Sequence, residues 1–140
     1  MRFAARHNLR LAIKASGHDV LGRSTAKNSL LLWTRYFRNV SFTEHFDIGG
    51  KDQGSAITVG SGVPLNMMYA AAKGQGKLVV GGTAATVVAG GGYIQGGGHS
   101  AFSPALGLAA DNALGMIVLV AHPVVSAECS RRIQYRHCRR

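Results

Sequence analysis

The chain has 140 residues, 46% of them apolar, and a formal net charge of +10. That supplies one domain with a core, is short for two, and excludes global disorder. No run approaches the about 18 apolar residues of a membrane-spanning helix, and the Arg- and His-interrupted start does not read as a secretory signal.

The positive charge is unevenly placed. Five of the 16 basic residues lie in the last ten, while 39–130 carry only Lys51, Lys73 and Lys77. With no aromatic-basic stripe to stack bases, this distribution weighs against nucleic acid as a partner. Cys129 and Cys138 match no common zinc spacing, even with His122 and His137 counted, and read as incidental thiols.

In chain order, Met1–His7 has helical composition and Asn8 suits a helix end before a strand at Leu11–Lys14. The chain is thus expected to open partway into its architecture. Ala15–Ser24 is a turn-forming loop pivoting on Gly17 and Gly22. Ser29–Trp33 predicts a buried strand, and Arg35–Asp47 irregular or short-strand structure. Gly49–Gly54 is a hairpin-type turn into a strand at Ser55–Gly60. Pro64 opens a helix over Leu65–Lys73, Gly74–Gly76 stops it, and Lys77–Val80 predicts a short strand. A further apolar strand is expected at Asn112–Val120. Short strands with two helices indicate an α+β domain, not an alternating doubly wound sheet.

Between Gly81 and Gly98 stand eight glycines, interleaved with Val87, Val88, Tyr93 and Ile94. That mixture reads as a folded segment whose backbone comes close to something, either a ligand or simply its own neighbours. The dinucleotide fingerprint fails, because from Gly90 and Gly92 the third glycine position is Gln95. Gly17–Ser24 has the spacing of a phosphate loop with Arg23 for lysine, but it leads to a strand where a helix is needed. What remains is two acid-poor glycine loops, 16–24 and 81–100, able to grip one pyrophosphate through backbone N–H groups and hydroxyls.

Lys14–Ser24, KASGHDVLGRS, resembles the flavin-attachment loop of the FAD-linked oxidases of the vanillyl-alcohol oxidase and p-cresol methylhydroxylase (PCMH) superfamily. Val87–Asn112, with GGGYIQGGGHS and then LGLAADN, is similar to the second FAD loop of its berberine-bridge-enzyme-like branch, especially the fungal members. The resemblance runs from residue 1 to about Val120. It implies an incomplete PCMH-type FAD-binding domain over 1–120, a mixed short-strand sheet with flanking helices. Residues 121–140 are then a basic tail outside the family pattern, expected to be disordered.

The resemblance also implies a site. His18 matches the histidine bonded to the flavin 8-methyl carbon, and Ser16, Gly17, Asp19 and Gly22 match the loop around the pyrophosphate. Gly91, Gly92, Gly96, Gly97 and His99 match the segment passing the isoalloxazine and diphosphate, with Leu108 and Asp111 continuing it. No catalytic base and no metal are implied. The implied activity is oxidation of a small organic substrate, with hydride passing to the flavin and oxygen as acceptor.

Three departures accompany it. Ala84-Ala85-Thr86-Val87 stands where bicovalent members carry Cys-Pro-Thr-Val, so no second, cysteinyl link is expected. Family members begin with further strands, usually after a secretion signal. The pattern also ends after Val120, as in a shortened product or a tail read in the wrong frame, leaving out the substrate domain. A cofactor-free remnant and a basic nucleic-acid binder are the alternative readings.

Overall fold

The structure is a computed structural model and describes residues 1–118 together with the backbone of the strand Ile133–Arg136. Helix α1 (Arg2–Arg6) ends at a turn where Asn8 adopts a φ of 50°, a conformation that asparagine tolerates. The chain then enters strand β1 (Arg10–Lys14). Strand β2 (Ser29–Trp33) pairs parallel with it, Arg10 opposite Ser29 and Lys14 opposite Trp33. Parallel partners need a long connection. Here it is the loop 15–28, whose two ends the pairing brings side by side.

The second sheet is antiparallel. Strands β3 (Val40–Thr43) and β6 (Ala56–Val59) pair directly, and a small hairpin, β4 (Asp47–Ile48) with β5 (Lys51–Asp52), joins them. Strand β7 (Ala113–Met116) reaches β6 through strand β8 (Ile133–Arg136), which lies between the two. All four residues of β6 are buried. Helix α2 (Leu65–Gly74) covers it with Leu65, Met68 and Ala72, the helix-period stripe of its buried face. Val63, Val79, Ala89 and Ile94 complete this core. Burial of side chains such as Ile57, Leu65 and Met68 contributes about 1.5–3 kcal/mol each.

Three sequence expectations differ from the structure. Ser29–Trp33 is a strand but not a buried one, with Leu31 and Trp33 each 42% exposed. An apolar run specifies a strand, yet not whether a layer covers it, and Leu30–Trp33 stay exposed here. Lys77–Val80 forms no strand and only Leu78 makes an isolated bridge. Lys77 N–H instead donates to Ala72 C=O to close the helix, and Val79 and Val80 bury irregular backbone. A short helix α3 (Ser103–Leu106), with Pro104 in its first turn, follows the glycine segment unannounced.

Of the segment 121–140, Ile133–Arg136 is the strand β8, filling the edges of β6 and β7. Ladder pairing uses backbone groups, which composition alone does not report. The rest of that segment, including Cys129 and Cys138, lies outside the described residues, as do Leu119 and Val120 of the expected last strand. Among the described residues no helix is long and apolar enough to cross a membrane.

Candidate cofactor site

The loop after β1 is held from within. Gly17 adopts a φ of 92° with the Lys14 side chain against it; a Cβ there would stand 2.8 Å from Lys14 Cε. The Asp19 carboxylate accepts the Arg23 N–H at 2.6 Å and the Arg23 Nη2 group at 2.8 Å. The side-chain hydrogen bonds from Arg23 hold the Asp19 carboxyl well below its usual 3.8, at about 2. Gly22, with a φ of 72°, donates its N–H to Asp19 C=O. Asp19 and Gly22 therefore shape the loop from inside.

Opposite this loop lies 84–91. The first N–H groups of α2 are taken by it: Leu65 donates to Val87 C=O at 2.8 Å and Asn66 to Ala85 C=O at 3.0 Å. The start of α2 is thus spent on the fold and is no phosphate site. Pro64 and Val88 form an antiparallel bridge beside it. These contacts pin Thr86, whose Oγ1 lies 2.8 Å from His18 Nε2. Among the described residues Nδ1 of His18 has no partner. Backbone contact joins the loops a second time, since a Cβ on Gly91 would stand 2.9 Å from Ala15 Cβ.

A pocket of about 250 Å³ opens between these parts. Ala15, Ser16, Trp33, Arg35, Arg38, Gly62, Pro64, Thr86 and Val88 line it. Trp33 Nε1 donates to Ala15 C=O at 3.0 Å, with Lys14 Nζ 4.7 Å and Arg35 Cζ 5.0 Å from its ring centre.

The remaining expected residues form a separate group. Gly96 donates to Gly92 C=O, and Gly97 and Gly98 accept from Ala110 and Ala109 at 3.0 and 2.9 Å. The Asp111 carboxylate accepts the Leu108 N–H at 2.8 Å, and Leu108 Cδ1 packs where a Gly97 Cβ would come within 3.2 Å of it. The Tyr93 hydroxyl donates to His99 C=O at 3.0 Å, and the His99 residue is exposed. Burial pushes the Tyr93 hydroxyl up to about 12, with neighbouring Tyr69 adding to it. No hydrogen bond among the described residues joins this group to Ser16–Gly22. Leu108 and Asp111 brace a turn.

The structure thus brings together Ser16, Gly17, His18 and Gly91, and adds Trp33, Arg35, Arg38, Gly62, Pro64, Thr86 and Val88. No linear pattern marks these additions, because contacts between 34–38 and 60–64 unite them.

These residues fit a dinucleotide carrying a flat ring. Ser16, Arg35, Arg38 and Thr86 are among the residues that line the pocket, and Gly92 has open space where a side chain would stand. Among the described residues no group of His, Cys, Asp and Glu could hold a metal ion. Residues 1–122 match the FAD binding domain family. An FAD-linked oxidoreductase of Arthroderma benhamiae is 46% identical over 125 residues, covering 86% of this chain and 21% of the relative. A VAO-type flavoprotein of Myceliophthora thermophila C1 superposes with a TM-score of 0.88 at 33% identity, over 99% of this chain and 29% of that one. Berberine bridge enzyme superposes with a TM-score of 0.67 at 29% identity, over 83% of this chain and 22% of that one. The chain spans about a fifth of the length of the curated relatives it matches. It belongs to the FAD binding domain family, as an α+β, PCMH-type domain akin to VAO-type flavoproteins and berberine bridge enzyme.

Proposed function

We propose that this chain is the cofactor-holding part of an FAD-dependent oxidase of a small organic substrate, with FAD attached through His18. When bound, the flavin accepts a hydride from the substrate and returns the electrons to molecular oxygen as hydrogen peroxide. The observation that carries the reading is the junction of the two glycine loops, His18 to Thr86 and Gly91 to Ala15, at the edge of one pocket.

The chain's own residues have distinct tasks in this reading. Thr86 holds His18 Nε2 and so fixes the ring, which leaves Nδ1 as the nitrogen for attachment. Attachment exchanges one imidazole N–H and one methyl C–H for a single N–C bond, the two hydrogens leaving on oxygen as hydrogen peroxide. Ala84 and Ala85 offer no thiol for a second link. Asp19 and Arg23 keep the loop in shape, and Gly92, with open space where a side chain would stand, leaves room for a flat ring against backbone. None of these residues is assigned to substrate proton transfer.

The test is the visible spectrum of the purified chain after incubation with FAD and removal of free flavin. Flavin at about one per chain is expected. A colourless protein, unchanged in melting temperature by added FAD, would overturn the reading.

A further inference from the structure

We propose that Asn39 is the attachment site of an N-linked glycan, which covers the open edge of strand β3. Asn39-Val40-Ser41 is the sole Asn-x-Ser/Thr triplet in the chain, with a residue other than proline at its centre. Such triplets are common by chance, so the surroundings decide. Val40 and Ser41 begin β3, and along a strand successive side chains point to opposite faces. Val40 and Phe42 pack against the core, while Ser41 and Thr43 are exposed. The Gly60 N–H donates to Asn39 C=O at 2.8 Å, which carries the pairing of Val40 with Val59 one residue further. The alternation therefore extends to Asn39 and puts it beside Ser41 on the outer face, where it too is exposed.

The backbone here is fixed while the acceptor side chain stays unused. Gly62 N–H donates to Phe37 C=O at 2.9 Å, and a Cβ on Gly60 would overlap the Phe37 carbonyl. Among the described residues the Asn39 carboxamide and the Ser41 hydroxyl have no hydrogen-bond partner. Asn39 does not line the pocket between the loops, so a sugar on it is independent of the flavin. What the sugar would do follows from the sheet order, β3-β6-β8-β7, in which β3 is outermost. An outermost strand presents unpaired N–H and C=O groups and is ordinarily guarded by charge, proline or a bulge. Val40–Thr43 pairs in unbroken register and holds neither charge nor proline. A bulky, hydrophilic oligosaccharide beside it supplies the guard. In the attachment Asn39 Nδ2 displaces the diphosphate of a lipid-linked oligosaccharide. A bond from Nδ2 to the anomeric carbon forms, the bond from that carbon to the diphosphate oxygen breaks, and one Nδ2 proton leaves with the diphosphate.

The test is cell-free translation of the full chain, behind a cleavable secretion leader, in the presence of microsomes, reading only protease-protected protein. The parent and Ser41→Thr should give a heavier band that peptide N-glycosidase returns to the unmodified mass. Asn39→Gln and Ser41→Ala should lose that band. Both positions are exposed, so the variants should fold alike, and retention in Ser41→Thr beside loss in Ser41→Ala separates acceptor chemistry from misfolding. Protected parent at the unmodified mass, or a heavier band that survives Asn39→Gln, overturns the site. The edge role is read by light scattering on secreted protein before and after enzymatic removal of the sugar. The stripped protein should self-associate at several-fold lower concentration, and equal behaviour overturns that role.

Discussion

His18 Nε2 and Thr86 Oγ1 lie 2.8 Å apart across 68 positions of sequence, and this hydrogen bond ties the loop after β1 to the loop that caps α2. It fixes the imidazole without help from a charged group. Replacing Thr86 by valine keeps the shape and removes the bond. A hydrogen bond of this kind contributes about 0.5–1.5 kcal/mol, so flavin attachment should slow by about two- to ten-fold. A time course of covalent incorporation checks this, with an unchanged melting temperature as the control for fold.

Backbone contact at Gly91 and Ala15 gives a second prediction. Alanine at 91 places its Cβ 2.9 Å from Ala15 Cβ, closer than real side-chain carbons pack. Forcing the loops apart should cost about 1–3 kcal/mol and weaken FAD binding. Ala15→Gly in the same chain removes the obstructing methyl group and should restore both. Rescue is the informative result, since a general loss of fold would not respond to it.

Acid should loosen the first loop before it unfolds the core. The Asp19 carboxyl is held at about 2, below its usual 3.8, chiefly by the Arg23 side chain. Its stabilising contribution is present above 3.8 and lost as pH falls through about 2. The melting temperature of Asp19→Asn should therefore lie below that of the parent at neutral pH, with the gap closing through this window. A gap that stays constant with pH would show that the carboxylate charge does not hold the loop.

Alkali acts at the other glycine cluster. Burial pushes the Tyr93 hydroxyl from 10.0 to about 12, and neighbouring Tyr69 adds to the effect. Above 10.0 the unfolded chain ionises this tyrosine while the folded chain does not, so stability falls as pH rises from 10.0 towards about 12. An ultraviolet titration of phenolate should show Tyr93 ionising late in the parent. Tyr93→Phe should flatten the alkaline loss of stability.

Much of this was legible in the sequence, for identifiable reasons. Pro64 followed by helix formers marked α2, and its Leu65, Met68 and Ala72 spacing repeats with the helical turn. The turn residues Gly49 and Gly50 marked the hairpin, and both take positive φ. The order of the two glycine loops suggested one shared site, and His18 and Gly91 do meet the opposite elements there. Other features depend on contacts that no local pattern encodes. The β2 leucines look like core, yet the layer that would bury them is a property of the whole fold. Arg35 and Arg38 look like scattered surface charge until Gly60 and Gly62 bring their turn to the pocket. Leu108 and Asp111 sit in a glycine-rich motif that is read as cofactor contact, and the hydrogen bond between them, which closes a turn, is visible only in the structure.

We propose above all that His18 holds FAD covalently. It is tested most directly by running the purified full chain on a denaturing gel, fixing in acid and viewing it under ultraviolet light. A fluorescent band is expected at the mass of the parent chain and none for His18→Ala. A yellow native protein whose band is dark, or a band that survives His18→Ala, would contradict it.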